Sequence, residues 1–287
     1  MKTGLVLEGG GVRGIYTAGV LDVFMEAGLT FDGLIGVSAG AIHGCSYLSG
    51  QKGRSLRYYK NYVSDPRFMS IQSLIKTGDL VGVDFCYHEL PDKLDIYDHD
   101  AFLRNPTPFY VTVTNVDTGE AEYLRITDMR GQIDLLRASA SLPYCSRVVE
   151  INGKKYLDGG CTDAIPLERF RQMGYRRNVV VLTRPADYRK SPQLRAMTLL
   201  FYRRYPKFAA ALAQRHIRYN ETLDQIRALE KAGEIFVIRP AQALEVGRLE
   251  TDPEKVQQVY DHGRADAVKA MEDLKNWLNH GKENCHE

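Results

Sequence analysis

Gly4-Leu5-Val6-Leu7-Glu8-Gly9-Gly10-Gly11-Val12-Arg13-Gly14 and Phe31-Asp32-Gly33-Leu34-Ile35-Gly36-Val37-Ser38-Ala39-Gly40 are the two stretches on which the fold turns. Each is a short apolar run ending in small residues, the pattern of a buried strand that enters a tight loop. Between them, Gly14 to Ala27 places Ile15, Ala18, Leu21, Phe24 and Met25 at helical spacing, and Gly28 stops the pattern. Ala39 to Leu48 reads as a second helix. Strand, helix, strand, helix in this order points to a βαβ start with parallel pairing. Further along, Tyr110 to Arg125 alternates and breaks at Asp117-Thr118-Gly119, and Val148 to Asp158 carries Asn152-Gly153. Both read as antiparallel hairpins, so the sheet is expected to be mixed. Asn178 to Thr183 and Glu234 to Arg239 read as two further buried strands, and helical patterns fill 193–232 and 253–279. The expected class is α/β, a three-layer α/β/α sandwich on a mixed central sheet.

Composition narrows the function classes. Of the 287 residues 44% are apolar and 26% charged, which excludes a disordered chain and leaves material for a core. Thirty-eight Lys and Arg against 36 Asp and Glu leave a net charge of +2, which excludes a globally basic nucleic-acid-coating protein. No apolar run approaches the ~18 residues of a membrane span. Lys2, the short run Leu5 to Leu7 and then Glu8 do not read as a secretory leader. Cys45, Cys86, Cys145, Cys161 and Cys285 form no C-x-x-C pair, so neither a disulfide framework nor a zinc site is expected, and the compartment reads as reduced and cytoplasmic. Segment 77–108 holds Asp92, Asp95, Asp98 and Asp100 near His88 and His99. Their spacing matches no metal loop, so they read as helix-capping acids on a solvated loop. No metal and no cofactor are expected.

Three short motifs carry chemistry. Gly36-Val37-Ser38-Ala39-Gly40 is a G-x-S-x-G between an expected strand and an expected helix. Such a turn pushes the serine hydroxyl out of the fold, and the helix behind it aims N–H groups at developing negative charge. Gly9-Gly10-Gly11-Val12-Arg13-Gly14 follows the first strand. Read literally, Gly9, Gly11 and Gly14 also make a dinucleotide fingerprint, but that demands an acid at the end of the second strand, where Ser38 stands instead. The other reading is an oxyanion hole made by the amides of Gly9, Gly10 and Gly11, with Arg13 orienting the loop. Asp158-Gly159-Gly160 closes the second hairpin and is either a turn former or a base.

The three motifs together resemble the patatin-like phospholipase family: a G-G-G-x-R-G loop at Gly9–Gly14, the elbow at Gly36–Gly40 and a D-G-G at Asp158–Gly160, complete and in order. Ala138-Ser139-Ala140-Ser141-Leu142-Pro143 is similar to the family's A-S-x-x-x-P stretch. The resemblance covers roughly residues 4–170, and Thr251-Asp252-Pro253 with Tyr260-Asp261-His262-Gly263 is similar to the C-terminal region of a bacterial branch. One departure is Asp163, where plant patatins carry Asn. The resemblance implies a Ser38–Asp158 dyad without histidine, hydrolysing carboxylic esters of (phospho)lipids, with Gly36, Gly40, Gly159 and Gly160 as supporting positions. It also implies a catalytic core over 1–172 and a mainly helical extension over 173–287 on the same sheet. The rival is a triad drawing on His216, His262, His280 or His286. Two other classes stay open: a lipid-surface or regulatory protein with a silent site, and a dinucleotide-binding protein.

From Arg184 to Arg218 nine Lys and Arg face one acid, Asp187, with Tyr188, Phe201, Tyr202, Tyr205 and Phe208 interleaved. The stretch reads either as a peripheral dock for an anionic membrane or as a solvated helix face with its aromatics turned inward. Nucleic acid is not an expected partner. The oligomeric state is left open.

Overall fold

A computed structural model describes residues 1–192, 195–247 and 249–283. The first half runs β1 (Thr3–Leu7), a 3-10 turn (Gly11–Gly14), α1 (Ile15–Glu26), β2 (Gly33–Val37), α2 (Ala39–Leu48), α3 (Arg54–Tyr62), α4 (Ile71–Thr77), a π-helix (Phe85–Leu94), α5 (His99–Arg104), β3 (Phe109–Asn115), β4 (Glu120–Ile126) and α6 (Ile133–Ala140). The second half runs β5 (Val149–Ile151), β6 (Lys154–Asp158), a 3-10 turn (Gly159–Cys161), α7 (Leu167–Gln172), β7 (Arg177–Val181), α8 (Arg195–Phe201), α9 (Pro206–Ala213), α10 (Arg215–Lys231), β8 (Ile235–Ile238) and α11 (Pro253–Glu283).

The eight strands form one mixed sheet. β1 pairs in parallel with β2 on one side and β7 on the other, and β8 extends the parallel run beyond β7. β1, β2 and most of β7 are buried, as continuous apolar runs require when both faces are covered. The pleat divides their side chains between two layers. Leu5, Leu7, Leu34, Val179 and Val181 meet α1, α2 and α11, while Val6, Ile35 and Val180 meet α7 and α10. The fold is therefore the expected three-layer α/β/α sandwich.

β3 has three partners, and this arrangement positions the site. β4 takes the whole of one edge, from Phe109 to Asn115. The other edge is divided: β2 runs parallel along Leu34–Val37 opposite Phe109–Thr112, and β6 comes in antiparallel with Asp158 opposite Val113. The C-terminal ends of β2 and β6 thus meet head-on at consecutive rungs of one strand, which are only ~3.3 Å apart.

Two stretches depart from the sequence reading. The helical pattern over 193–232 is three helices within the described residues, broken where Pro206 opens α9 and where Gln214 separates α9 from α10. Pro206 lacks an N–H and disfavours helical backbone at Tyr205, which takes φ −129° and ψ 67°, so α8 does not continue into α9. Segment 77–108, read as a solvated loop, contains the π-helix and α5 instead. Asp98 does cap α5, accepting the Ala101 N–H at 2.8 Å, but Asp95 is buried and ion-paired with Arg54 and Arg57. Cys285 and His286 lie outside the described residues. The other four cysteines are free thiols.

α11 crosses α1 at backbone contact. A Cβ on Gly19 would lie 2.2 Å from the Tyr260 carbonyl oxygen, and one on Gly263 would lie 2.0 Å from that of Tyr16. Tyr16 donates to Asp266 at 2.7 Å, and Tyr260 donates to Asp22.

Candidate active site

Ser38 is the hinge between β2 and α2, with φ 54° and ψ −124°. That conformation costs a β-carbon residue about 1–3 kcal/mol and persists only where neighbours hold it. The Ser38 N–H donates to the fully buried Ser139 hydroxyl at 3.0 Å, and Ser139 in turn donates to the Thr112 carbonyl at 2.8 Å. The Ser38 carbonyl accepts the Ile42 N–H at 3.1 Å, closing the first turn of α2. Gly36 and Gly40 are where the turn has no room. A Cβ at Gly40 would lie 2.6 Å from the Leu7 carbonyl oxygen, and one at Gly36 would lie 2.7 Å from the Ala41 nitrogen.

Asp158 ends β6 and is buried. Its Oδ1 accepts the Gly160 N–H at 2.7 Å, and its own N–H donates to the Ser141 carbonyl at 2.8 Å. Gly159 passes so close to β3 that a Cβ would meet the Thr112 carbonyl oxygen at 2.2 Å. The stretch 139–141 therefore tethers both chemical residues, Ser38 through a side chain and Asp158 through a carbonyl. Ser38 and Asp158 line one small polar cavity together with Gly9, Gly10, Gly11 and Arg13.

The glycine loop does not present three equal amides. The Gly9 N–H is committed to the Ala164 carbonyl at 3.3 Å, so it is not a donor for an oxyanion in this geometry. Gly10 and Gly11 have no such commitment, and Gly11 takes φ 59°, the left-handed region. Gly9 instead serves as close packing: its Cβ would lie 3.2 Å from that of Ser38. Arg13 is buried beside the loop.

Ser38 also opens onto a second cavity of about 190 Å³ with a different lining. Ala39, Ile42, Tyr58, Phe68, Leu136 and Leu142 are among its walls, and the π-helix contributes Leu90 and Pro91. The serine hydroxyl thus stands between an apolar pocket and a polar one.

Of the histidines weighed as triad members, His216, His262 and His280 do not line the cavity of Ser38 and Asp158, and His262 is exposed on α11. His43, on α2, was not among them. Its Nδ1 shares a hydrogen bond with Ser55 at 2.9 Å, and complete burial pushes its pKa down to about 3. It stays neutral at ordinary pH. Asp163 accepts the Tyr123 hydroxyl at 2.8 Å and the Ile165 N–H at 3.3 Å. Burial raises its pKa, and those two hydrogen bonds pull it back.

Glu8, Arg184, Lys190 and Arg215 also line the polar cavity and were not read as site residues in the sequence. Glu8 follows β1 and is buried, its Oε2 accepting from Thr183 N–H (2.6 Å) and its Oε1 from Tyr219 O–H (2.5 Å). Arg184, Lys190 and Arg215 complete the wall. The one available signal for Glu8 was a charged residue at the end of a buried strand. The basic residues belonged to a stretch read as a membrane dock or a solvated face. Among the described residues no cluster of His, Cys, Asp and Glu has metal-site geometry. No helix among them is long and apolar enough to cross a membrane.

A family model described as patatin-like phospholipase matches residues 5–171, and a second, described as a domain of unknown function, matches 205–279. The chain is similar to the uncharacterized protein YjjU of Escherichia coli, 32% identical over 67% of this chain and 55% of that protein. It is also similar to the uncharacterized NTE family protein Rv1063c of Mycobacterium tuberculosis (24% identical, 58% of this chain, 44% of that protein). A third relative is lysophospholipase NTE1 of Cryptococcus neoformans (28% identical, 65% of this chain, 12% of that protein). The chain spans about half the length, or less, of these curated relatives. Among solved structures, VipD from Legionella pneumophila aligns with a TM-score of 0.47 and 14% identity over 95% of this chain and 67% of that one.

Proposed function

The chain belongs to the patatin-like phospholipase family, and from that membership we propose that it hydrolyses the carboxylic ester of a lipid with Ser38 as nucleophile and Asp158 as its base. The observation that supports this most is the head-on meeting of β2 and β6, which puts Val37, the residue before Ser38, and Asp158 at consecutive rungs of β3 and both Ser38 and Asp158 on one cavity. The acyl chain occupies the apolar pocket, and the ester carbonyl comes to Ser38. As the Ser38 oxygen bonds to the carbonyl carbon, its proton passes to Asp158. An aspartate with an ordinary pKa near ~3.9 holds little serine alkoxide in the ground state, so much of the acceleration must come from stabilising the oxyanion. The N–H groups of Gly10 and Gly11 supply that, and Gly9 holds the loop against the elbow. The bond to the alcohol then breaks, and Asp158 returns the proton to the leaving oxygen. Water attacks the acyl-serine, gives its proton to Asp158, and the fatty acid leaves as Ser38 recovers its hydrogen.

Lysophospholipase in the name of a relative supports a single-chain phospholipid as substrate, and the single apolar pocket beside Ser38 suits one acyl tail. We take residues 1–172 as the catalytic core and 173–287 as an extension that completes its polar cavity. Apolar side chains are exposed on α4 (Ile71, Ile75) and α8 (Met197, Leu200, Phe201), with exposed Arg203 and Arg204 just after α8. These support peripheral contact with an anionic lipid surface.

The test is turnover of p-nitrophenyl esters. Ser38→Ala is expected to abolish it with the melting temperature retained, Asp158→Asn to reduce it at least ~100-fold, and His262→Ala to change it less than ~10-fold. Full turnover in Ser38→Ala sinks the nucleophile, and a His262 variant as inactive as the Asp158 variant replaces the dyad with a triad.

A further inference from the structure

The polar cavity beside Ser38 has a charge balance that ester hydrolysis does not require. Its lining carries four cationic side chains, Arg13, Arg184, Lys190 and Arg215, against two carboxylates, Glu8 and Asp158. Both oxygens of Glu8 are engaged, one by Thr183 and one by Tyr219, and burial together with Glu8 raises the Tyr219 pKa so that it stays a neutral donor. Arg184, Lys190 and Arg215 all come from beyond the family's motifs. Each is half-buried. Arg184 lies over the Tyr188 ring at 4.4 Å, and the Lys190 ammonium lies over the Tyr219 ring at 4.1 Å. Arg215 opens α10, with its buried Nε lacking any hydrogen-bond partner. Its Nη2 and the Asp158 Oδ1 each lie 3.0 Å from the point where a Cβ on Gly160 would stand, so the missing side chain is what admits the guanidinium beside the proposed base. Guanidinium and ammonium groups that converge on a confined space with low-dielectric walls select an anion.

We propose that Arg184, Lys190 and Arg215 form a head-group site for the phosphate of a single-chain acyl ester, on the leaving-alcohol side of Ser38. This rests on the hydrolase reading, which fixes where the alcohol lies. With the acyl tail in the apolar cavity and the carbonyl oxygen toward Gly10 and Gly11, the alcohol points into the polar cavity. That cavity admits only about 20 Å³ of water-sized groups. It takes the oxygens of a phosphate at its mouth and has no room for a second acyl chain. The basic stretch that read in the sequence as either a membrane dock or a solvated face is thereby divided. Arg184, Lys190 and Arg215 face the reacting ester, while Arg203 and Arg204 are exposed.

Two measurements on the full chain test the site. In steady state, kcat/KM is compared for a lysophosphatidic acid and the monoacylglycerol of the same chain, both below micelle formation. The wild type is expected to favour the anionic lipid by more than ~10-fold. That ratio is expected to fall at least ~10-fold in Arg184→Gln/Arg215→Gln and to return in Arg184→Lys/Arg215→Lys, as a charge-assisted contact predicts. In the second measurement, calorimetry follows sn-glycerol 3-phosphate binding to the Ser38→Ala chain, with and without the two Gln substitutions. Binding is expected in the first and loss of at least ~10-fold in affinity in the second, whether or not the wild type turns over any ester. Equal binding by both, or a wild-type ratio at or below one, overturns the head-group site. Inorganic phosphate or glycerol phosphate that inhibits without competing against the lipid also overturns it, because the anion then occupies a separate site. Turnover retained by Ser38→Ala, with glycerol phosphate still bound through the arginines, removes Ser38 as the nucleophile and with it the placing of the head group, and leaves an anion site.

Discussion

Ser139 carries more of the elbow than its place outside the three motifs suggests. Its hydroxyl accepts from Ser38 N–H and donates to Thr112 C=O, one hydroxyl using both of its capacities between two backbones. Ser139→Ala leaves a buried donor and a buried acceptor unpaired, and each such orphan costs about 1–3 kcal/mol. The strained φ of Ser38 is one of the quantities that those bonds hold in place. The expected outcome is a lower melting temperature together with a fall in kcat of ~10-fold or more at little-changed KM, and slower labelling of Ser38 by a fluorophosphonate. Unchanged labelling kinetics would leave Ser139 with a purely structural role. The elbow serine and the Asp-Gly-Gly turn were legible in the sequence because each is a local pattern: small residues where the backbone must turn within a few positions. Ser139 was only part of a family-like stretch, since its partner is 101 positions away and no spacing rule reaches that far. The spent amide of Gly9 was equally invisible, because its acceptor, the Ala164 carbonyl, belongs to a loop 155 positions on.

The strands and early helices were readable for a physical reason. β1, β2 and β7 are apolar runs buried on both faces, and α1 and α2 are bounded by glycine, so pattern and burial agree. The division of one β3 edge between β2 and β6 was not readable, because an antiparallel hairpin strand carries no mark of which edge it joins. Gly40 fixes how closely α2 rises from that edge. Gly40→Ala is expected to yield little soluble protein, since the new methyl would lie 2.6 Å and 2.7 Å from two carbonyl oxygens of β1 and the residue after it, neither of which can move without breaking the sheet. A soluble Gly40→Ala chain with wild-type melting would mean the turn has slack that the contacts do not show. His43 supplies a pH dependence. Its folded pKa of about 3 lies below the ordinary histidine value of 6.5, so the unfolded chain binds the extra proton first. His43 therefore leaves stability untouched above pH 6.5 and removes it as pH falls from there toward 3. Urea unfolding across that window should lose stability more steeply in the wild type than in His43→Gln, whose amide is neutral throughout. Parallel profiles for the two chains would show that His43 titrates normally.

At the scale of the whole molecule, the extension is built into the core through α11 on α1 and through the strands that continue the sheet beyond β1. Its basic stretch serves two places, and only one faces solvent. Tyr144, in the turn after Leu142, bonds Thr198 at 2.8 Å and stacks edge-on with Phe201 at 5.0 Å, while Leu80, just beyond α4, donates to the Cys145 carbonyl at 2.8 Å. α8 and the chain just after α4 therefore both contact the segment whose Leu142 lines the two cavities at Ser38, and Leu200 is 71% and Phe201 60% exposed. Apolar groups exposed to that degree beside Arg203 and Arg204 fit a lipid surface better than water. On this reading, binding to vesicles of anionic lipid weakens steeply between low and physiological salt, because exposed charges are screened over ~8–10 Å. Arg203→Glu/Arg204→Glu should lose vesicle binding and turnover on vesicles. Turnover of a soluble short-chain ester should stay near wild type, because neither residue lines either cavity at Ser38. Leu200→Ser/Phe201→Ser should weaken vesicle binding even at high salt, where the charges no longer contribute, since apolar insertion is not screened. If the Glu and Ser variants keep full vesicle turnover, α8 is a solvated helix whose exposed side chains have no lipid partner. If soluble-ester turnover falls in step with vesicle turnover, the substitutions have disturbed the fold around Tyr144 and not the docking of the chain on a membrane.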